Sequence, residues 1–206
     1  MQQRALLICG ILAPLLYAIA DLAAGLTAGG YSFRDQTISE LGAIGAPSRA
    51  LFSAILVPSY VLLLGFGIGV WRAGGALRRM RVAGGLLIVF SVMALLVGQL
   101  VPMRERGVEQ GLTGTLHLVE GGVAMIMIVA AMGFAAAALR GRFRDYTIVT
   151  VVVMLVFGAW TSTQAPSVAA GLTTPWLGVV ERVMWYAYQA WFAMLALTLL
   201  RRDATL

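Results

Sequence analysis

Long apolar stretches alternate with short polar ones along this chain. Apolar runs cover residues 6–28, 50–71, 82–101, 113–139, 146–165 and 176–200. Each is apolar on all sides rather than alternating with period two, so the pattern predicts helices and not the strands of a barrel. Crossing a hydrocarbon core takes roughly 20 such residues in a helix. Backbone polar groups in lipid must be satisfied within their own segment, and a helix does this. The pattern therefore predicts an all-α, polytopic membrane helix bundle of six transmembrane helices, one domain over residues 1–206. Connections are short, so sequence neighbours are expected to pack as antiparallel hairpins. No internal repeat and no soluble domain shows. Small residues at Gly65, Gly67 and Gly69, at Gly84 and Gly85, and at Gly121 and Gly122 invite close helix approach. Pro14 is expected to kink the first span and free a carbonyl. The first run also looks like a signal peptide, with Arg4 before it and Ala18-Ile19-Ala20 as a cleavage site. It continues to Ala28, which favours a span.

Between the first two runs lies YSFRDQTISELGAI, residues 31–44. Thr37-Ile38-Ser39-Glu40 fits a capping box, with Thr37 as N-cap and Glu40 reaching back to its backbone N–H. Ile38, Leu41 and Ile44 fall on one helix face. Gly42 or Gly45 ends that helix, and Pro47 is placed to open the second span. The expectation is a short amphipathic helix in the first extracytoplasmic loop, lying over the bundle as a lid. Arg34, Asp35, Ser39 and Glu40 would then stand at the mouth of what lies beneath.

Composition confirms the membrane reading: 60% of residues are apolar and only 12% charged, where a soluble domain carries about a quarter. The net charge is +6, carried by arginine without lysine. Its distribution matters more than its size. Ten arginines fall at one set of span ends: Arg4; Arg72, Arg78, Arg79 and Arg81; Arg140, Arg142 and Arg144; Arg201 and Arg202. Four fall at the other: Arg34, Arg49, Arg104 and Arg106. Such clustering is a topology signal rather than a nucleic-acid footprint, and it puts both termini in the cytoplasm.

Charges within the spans are expensive and mark candidate function. Asp21 sits near the outer end of the first span, Gln99 near that of the third, and His117 and Glu120 open the fourth. Thr161, Ser162, Thr163 and Gln164 close the fifth, and Glu181 and Arg182 open the sixth. All lie at one level, so a polar cavity is expected in the extracytoplasmic half. His117 and Glu120 share a helix face and suit general acid–base work. Glu181, Trp185 and Tyr188 form one stripe; Arg182, Tyr186 and Gln189 form another. Asp21 can alternatively salt-bridge Arg182, locking the first span to the sixth without chemistry. Cys9 is the only cysteine and His117 the only histidine. These counts exclude an internal disulfide and a multi-histidine zinc site. A triad of Ser39 or Ser162 with His117 and an acid lacks a nucleophile elbow. No phosphate loop, dinucleotide fingerprint or haem-attachment motif appears, and no cofactor is implied.

YSFRDQTISELGAIGAPSRALFSAI, followed two spans later by TGTLHLVEGGVAM, resembles the bacterial six-span membrane family called domain of unknown function nine-nine-eight. The resemblance covers nearly the whole chain and points to Tyr31, Ile38, Ser39, Glu40, Leu41, Gly42, Pro47 and His117. Such proteins often carry an acid soon after the proline that closes the third span. Here Met103 and Arg104 separate Pro102 from Glu105. There is a more distant similarity to the eukaryotic Frag/DRAM/Sfk-like membrane proteins, which implies lipid handling by analogy alone.

The expected function is binding or processing of a lipid or amphiphile headgroup by a multi-pass protein of the cytoplasmic (inner) membrane. His117 and Glu120 would be the acid–base pair. Asp21, Tyr31, Arg34, Asp35, Ser39, Glu40, Gln99, Gln164, Glu181 and Arg182 would contact the ligand. The partners expected are membrane lipid or an amphiphilic small molecule, not nucleic acid. A homo-oligomer or a membrane-protein partner is compatible with the pattern. Two alternatives stand beside this: a small proton-coupled transporter, and a non-catalytic membrane scaffold.

Overall fold

The computed structural model describes residues 2–203. Eight helices follow one another: α1 (Gln2–Thr27), α2 (Ile38–Leu41), α3 (Arg49–Ala73), α4 (Arg78–Leu96), α5 (Gly111–Leu139), α6 (Gly141–Thr163), α7 (Ala165–Ala169) and α8 (Leu177–Asp203). Among the described residues six helices, α1, α3, α4, α5, α6 and α8, are long and apolar enough to cross a membrane.

The spans are arranged as a closed ring. α1 packs on α3, α3 on α4, α4 on α5, α5 on α6, α6 on α8, and α8 returns to α1. Gln3, the α3–α4 turn at Arg72 and Leu77, Leu139, and Leu199 line one shared cavity, so both ends of the described chain lie at the same end of the ring. Leucine, isoleucine and valine side chains cover the outside; Leu15, Ile19, Val152 and Ile126 are among the large apolar residues left exposed. Lipid rather than water suits such a surface.

Close approach on one side of the ring depends on glycine. A Cβ at Gly84 would collide with the Trp71 backbone, and one at Gly69 would sit 3.1 Å from the Leu6 carbonyl carbon. The expected small-residue contacts thus hold between α1, α3 and α4 at Gly67, Gly69 and Gly84, but not at Gly85, where an added Cβ meets nothing within 4 Å. They do not hold at Gly121 and Gly122, where an added Cβ meets nothing within 4 Å. Here α5 stands away from its neighbours instead of packing tightly. Most of its first two turns and the stretch through Val123 are exposed, and burial sets in at Ala124.

The interior has two parts. The larger core fills the middle of the ring with Phe66, Leu87, Met132, Trp191, Phe192 and Leu195. Trp191 Nε1 donates to Thr147 Oγ1 at 2.9 Å, which settles the one polar edge of that indole. The smaller core lies under α2 and joins Tyr17, Ala20 and Ala24 to Ile38, Leu41 and Phe52.

Several boundaries differ from the sequence expectation. α4 ends at Leu96 rather than near residue 101, and the chain loosens as Gly98 N–H reaches back to the Met93 carbonyl. α3 begins at Arg49 with Ser48 as its N-cap, so Pro47 lies before the helix rather than in its first turn. α1 runs unbroken through Pro14. Ser59 of α3 donates to the Ala13 carbonyl at 2.8 Å beside it. Ile44 is 39% exposed and off the buried face. α2 stops at Leu41, so helical phase no longer governs residue 44, and Ile44 N–H instead bonds the Met103 carbonyl. α7, which has Pro166 in its first turn, was not expected at all.

Candidate functional site

The geometry at the end opposite the termini starts from α2. A four-residue helix leaves nearly all of its backbone N–H and C=O groups without an intrahelical partner, and side chains satisfy several of them here. The capping box is present: Thr37 Oγ1 accepts from Glu40 N–H at 3.3 Å, and Thr37 N–H donates to Glu40 Oε2 at 2.7 Å. Glu181 of α8 accepts the Ile38 N–H with Oε2 and the Ser39 hydroxyl with Oε1 at 3.3 Å. A carboxylate at this position complements the positive end of the helix. At the other end Ser48 Oγ donates to the Leu41 carbonyl at 2.9 Å. Ile38 and Leu41 point into the small core.

Two arginines secure the loop around α2. Arg106 forms a bidentate pair with Glu40, with Nε and Nη2 each 2.9 Å from a carboxylate oxygen, and its Nη1 donates to the Leu172 carbonyl. Three connections are thereby tied together. Arg182 of α8 meets Asp21 of α1 in the same fork geometry, at 3.0 and 2.7 Å. Its remaining hydrogens go to Tyr31 Oη and to the carbonyls of Phe33, Gln36 and Gly178. Tyr186 Oη adds a third bond to Asp21, at 2.8 Å. Asp21 is 1% exposed, and every oxygen it presents is engaged. Tyr31 Oη in turn donates to the Thr37 carbonyl at 2.8 Å, and burial pushes this phenol up from its ordinary pKa.

At the rim, Arg34 and Asp35 pair with each other at 2.8 and 2.9 Å. Asp35 also accepts the Trp176 N–H at 3.0 Å. Arg34, with that N–H behind it, holds the Asp35 carboxyl down to about 2.

Beneath α2, on the side where α5 stands off, three cavities meet. The most polar of them, a chamber of about 120 Å³, sets Ser39, Arg49, Tyr60, Gln99, His117 and Glu120 among apolar side chains such as Phe52 and Leu56. A second, of about 330 Å³, is lined by Ser39, His117, Leu118, Ser162, Val168 and Glu181. The third, about 500 Å³ and mainly apolar, follows α5, α6 and α8 past Gly121, Gly122, Met125, Leu155, Met184 and Tyr188. Ser39 and His117 border all three, which makes them the junction. His117 Nδ1 lies 3.2 Å from the Val101 carbonyl. A carbonyl can only accept, so Nδ1 carries the hydrogen and Nε2 is the basic nitrogen of the neutral ring. Among the described residues the Glu120 carboxylate and the Arg49 guanidinium make no ion pair and no side-chain hydrogen bond. Trp185 Nε1 and Tyr188 Oη, on the wall of the apolar cavity, are also without a hydrogen-bond partner.

The residues singled out from sequence thus fall into separate places. Ser39, Gln99, His117 and Glu120 share the polar chamber, and Glu181 borders the two adjoining cavities. Asp21 and Arg182 are joined to each other beside that wall and do not line it. Tyr31 and Glu40 face a different recess, of about 270 Å³, with Arg106. Arg34 and Asp35 remain at the rim. Gln164 joins α6 to α7 outside these cavities, its N–H on the Thr161 carbonyl. The hydroxyls of Thr161, Ser162 and Thr163 bond back to carbonyls of α6. Arg49 was missed, because an arginine before a span reads as a topology marker. Arg106 was missed because nothing in sequence links it to Glu40.

Among the described residues no group of three His, Cys, Asp or Glu side chains is placed to share a metal ion. A family model described as "Protein of unknown function (DUF998)" matches residues 11–198. No curated protein and no solved structure matches the chain.

Proposed function

The chain belongs to the DUF998 family of proteins of unknown function, and from its cavities we propose that it binds a membrane lipid or a similar amphiphile. The observation that carries this is the union of unlike compartments at Ser39 and His117, a polar chamber on one side and an apolar groove on the other. An amphiphile has the same division. Its head suits Gln99, His117 and Glu120, and its chain suits the groove along α5 and α6. In the proposed topology the arginine-rich end faces the cytoplasm of an inner membrane. The chamber then lies at outer-leaflet headgroup depth, with α2 as its lid. Any proton transfer on the head falls to His117, whose Nε2 is the basic nitrogen, and to Glu120.

Transport fits less well. Carriers place their sites near the midplane at broken helices, whereas here the middle of the ring is closed by Phe66, Trp191 and Phe192, all fully buried. A scaffold role draws support from the internal pairs Asp21–Arg182 and Glu40–Arg106, but those pairs do not use the chamber.

Native mass spectrometry of the protein purified in mild detergent, with lipid extraction, tests the proposal. The wild type is expected to retain a lipid. Gly121→Trp, which places a large side chain where an added Cβ meets nothing within 4 Å, should cut retention by about tenfold, an energetic change of roughly 1.4 kcal/mol. Gly85→Trp, equally unhindered but on α4 and outside the lining of the chamber and groove, should not. Retention of no lipid by the wild type, or equal retention in all three, overturns the proposal.

A further inference from the structure

The polar chamber is bordered by one basic and one acidic side chain, and neither is paired among the described residues. Arg49 and Glu120 both border it, on α3 and α5, yet they make no ion pair with each other or with any other described residue. Other charges nearby are treated differently. Asp21, Arg182, Glu40 and Arg106 are all matched in bidentate pairs. Two charges left separate in one membrane-embedded chamber are costly unless a ligand completes them.

The surroundings of each charge differ. Arg49 opens α3, and Ser53, four residues on and therefore on the same face, borders the same chamber. The cap residue Ser48 donates its hydroxyl to the Leu41 carbonyl, and its oxygen accepts no N–H from the first turn of α3. An arginine, a hydroxyl and a helix start without a side-chain cap together form a setting for a phosphate. Glu120 shares the chamber with aromatic rings: Tyr17, Tyr60 and Trp185 border it too, and the Tyr17 and Trp185 rings stack at 5.8 Å. A carboxylate beside aromatic faces suits an ammonium group.

Resting on the lipid-binding proposal above, we infer that the ligand is a zwitterionic phospholipid. Its phosphate lies against Arg49 and Ser53, its ammonium group against Glu120, and an acyl chain runs along the α5–α6 groove. A purely anionic head leaves Glu120 opposed to it; a purely cationic one does the same with Arg49.

The test is competitive binding in detergent, read by native mass spectrometry, with phosphatidylethanolamine, phosphatidylcholine and phosphatidylglycerol of matched chains. Wild type should retain at least one of the two zwitterionic lipids about tenfold over phosphatidylglycerol, as expected for one charge-assisted contact. Glu120→Gln should abolish that preference by admitting phosphatidylglycerol, and Arg49→Gln should weaken all three lipids. Equal retention of the three by wild type overturns the zwitterionic assignment while leaving lipid binding intact, and it does so without any variant having to fold. Selective retention that survives both substitutions also overturns it. Failure of the wild type to hold any phospholipid refutes lipid binding itself, a separable result.

Discussion

Asp21 and Arg182 lie at the depth where a ligand contact was expected, and each is saturated by the protein. Arg182 donates to a carboxylate, a phenol and three carbonyls, so it joins α1, α8 and the first loop in one polar knot. The knot spends two buried charges on holding helices together. Removing one member of such a pair costs about 3–5 kcal/mol because the other charge stays buried without compensation. Asp21→Asn should therefore lower stability by about 3 kcal/mol, at the lower end because three carbonyls still receive Arg182. Tyr186→Phe removes a single hydrogen bond to the same carboxylate and should cost about 1 kcal/mol. Thermal unfolding of the purified protein, followed by loss of the monodisperse chromatographic peak, checks both. Equal, negligible shifts would contradict a structural role for the pair. Neither residue borders the chamber, so lipid retention per folded molecule should be unchanged.

At the scale of the element, α2 is the clearest meeting of local sequence and tertiary demand. Its start was legible because a capping box is a local device, with Thr37 and Glu40 serving each other over three residues. Its outer supports were not legible. Arg106 is 66 residues from Glu40, and Glu181 is 143 from Ile38, so no periodicity connects them. The two stripes on α8 were readable from spacing, and they divide as the ring requires: Glu181, Trp185 and Tyr188 border the apolar cavity, while Arg182 and Tyr186 turn to α1. Gly121 and Gly122 show the opposite limit. A pair of glycines reads identically whether it admits a neighbouring helix or leaves a gap, and only tertiary placement decides. Because α2 is held from four sides, Glu40→Ala should loosen it without unfolding the spans. That change removes the reciprocal cap, for which about 0.5–2 kcal/mol is usual, and also strands Arg106. Amide exchange in residues 35–45 should accelerate by about tenfold or more, with α3 and α8 unchanged, as read by hydrogen–deuterium exchange mass spectrometry. Unchanged exchange in that segment would mean the cap and the Arg106 pair do not stabilise it.

Over the whole molecule, the ring is closed tightly on the α1–α3–α4 side and left open where α5 faces α6 and α8. Glycine allows backbone approach on the first side, and the second core sits there under α2. The gap on the other side produces the cavities. Charge is just as uneven along the ring axis. The end with the chain termini holds the α3–α4 and α5–α6 turns and their arginines. At the other end Arg34 and Arg106 are already paired with Asp35 and Glu40, so their charges are matched locally. The positive-inside rule counts arginines near span ends, and on that count we propose that the terminus-bearing end is cytoplasmic and the chamber extracytoplasmic. Cys9 is the only cysteine, so a Cys9→Ala background gives a clean reporter. Gly29→Cys and Ala76→Cys lie in exposed turns at opposite ends of the ring. A thiol reagent that cannot cross membranes should label Gly29→Cys in sealed spheroplasts and reach Ala76→Cys only after permeabilisation. The reverse pattern would turn the molecule over, and the chamber under α2 would then meet the cytoplasmic leaflet rather than the outer one.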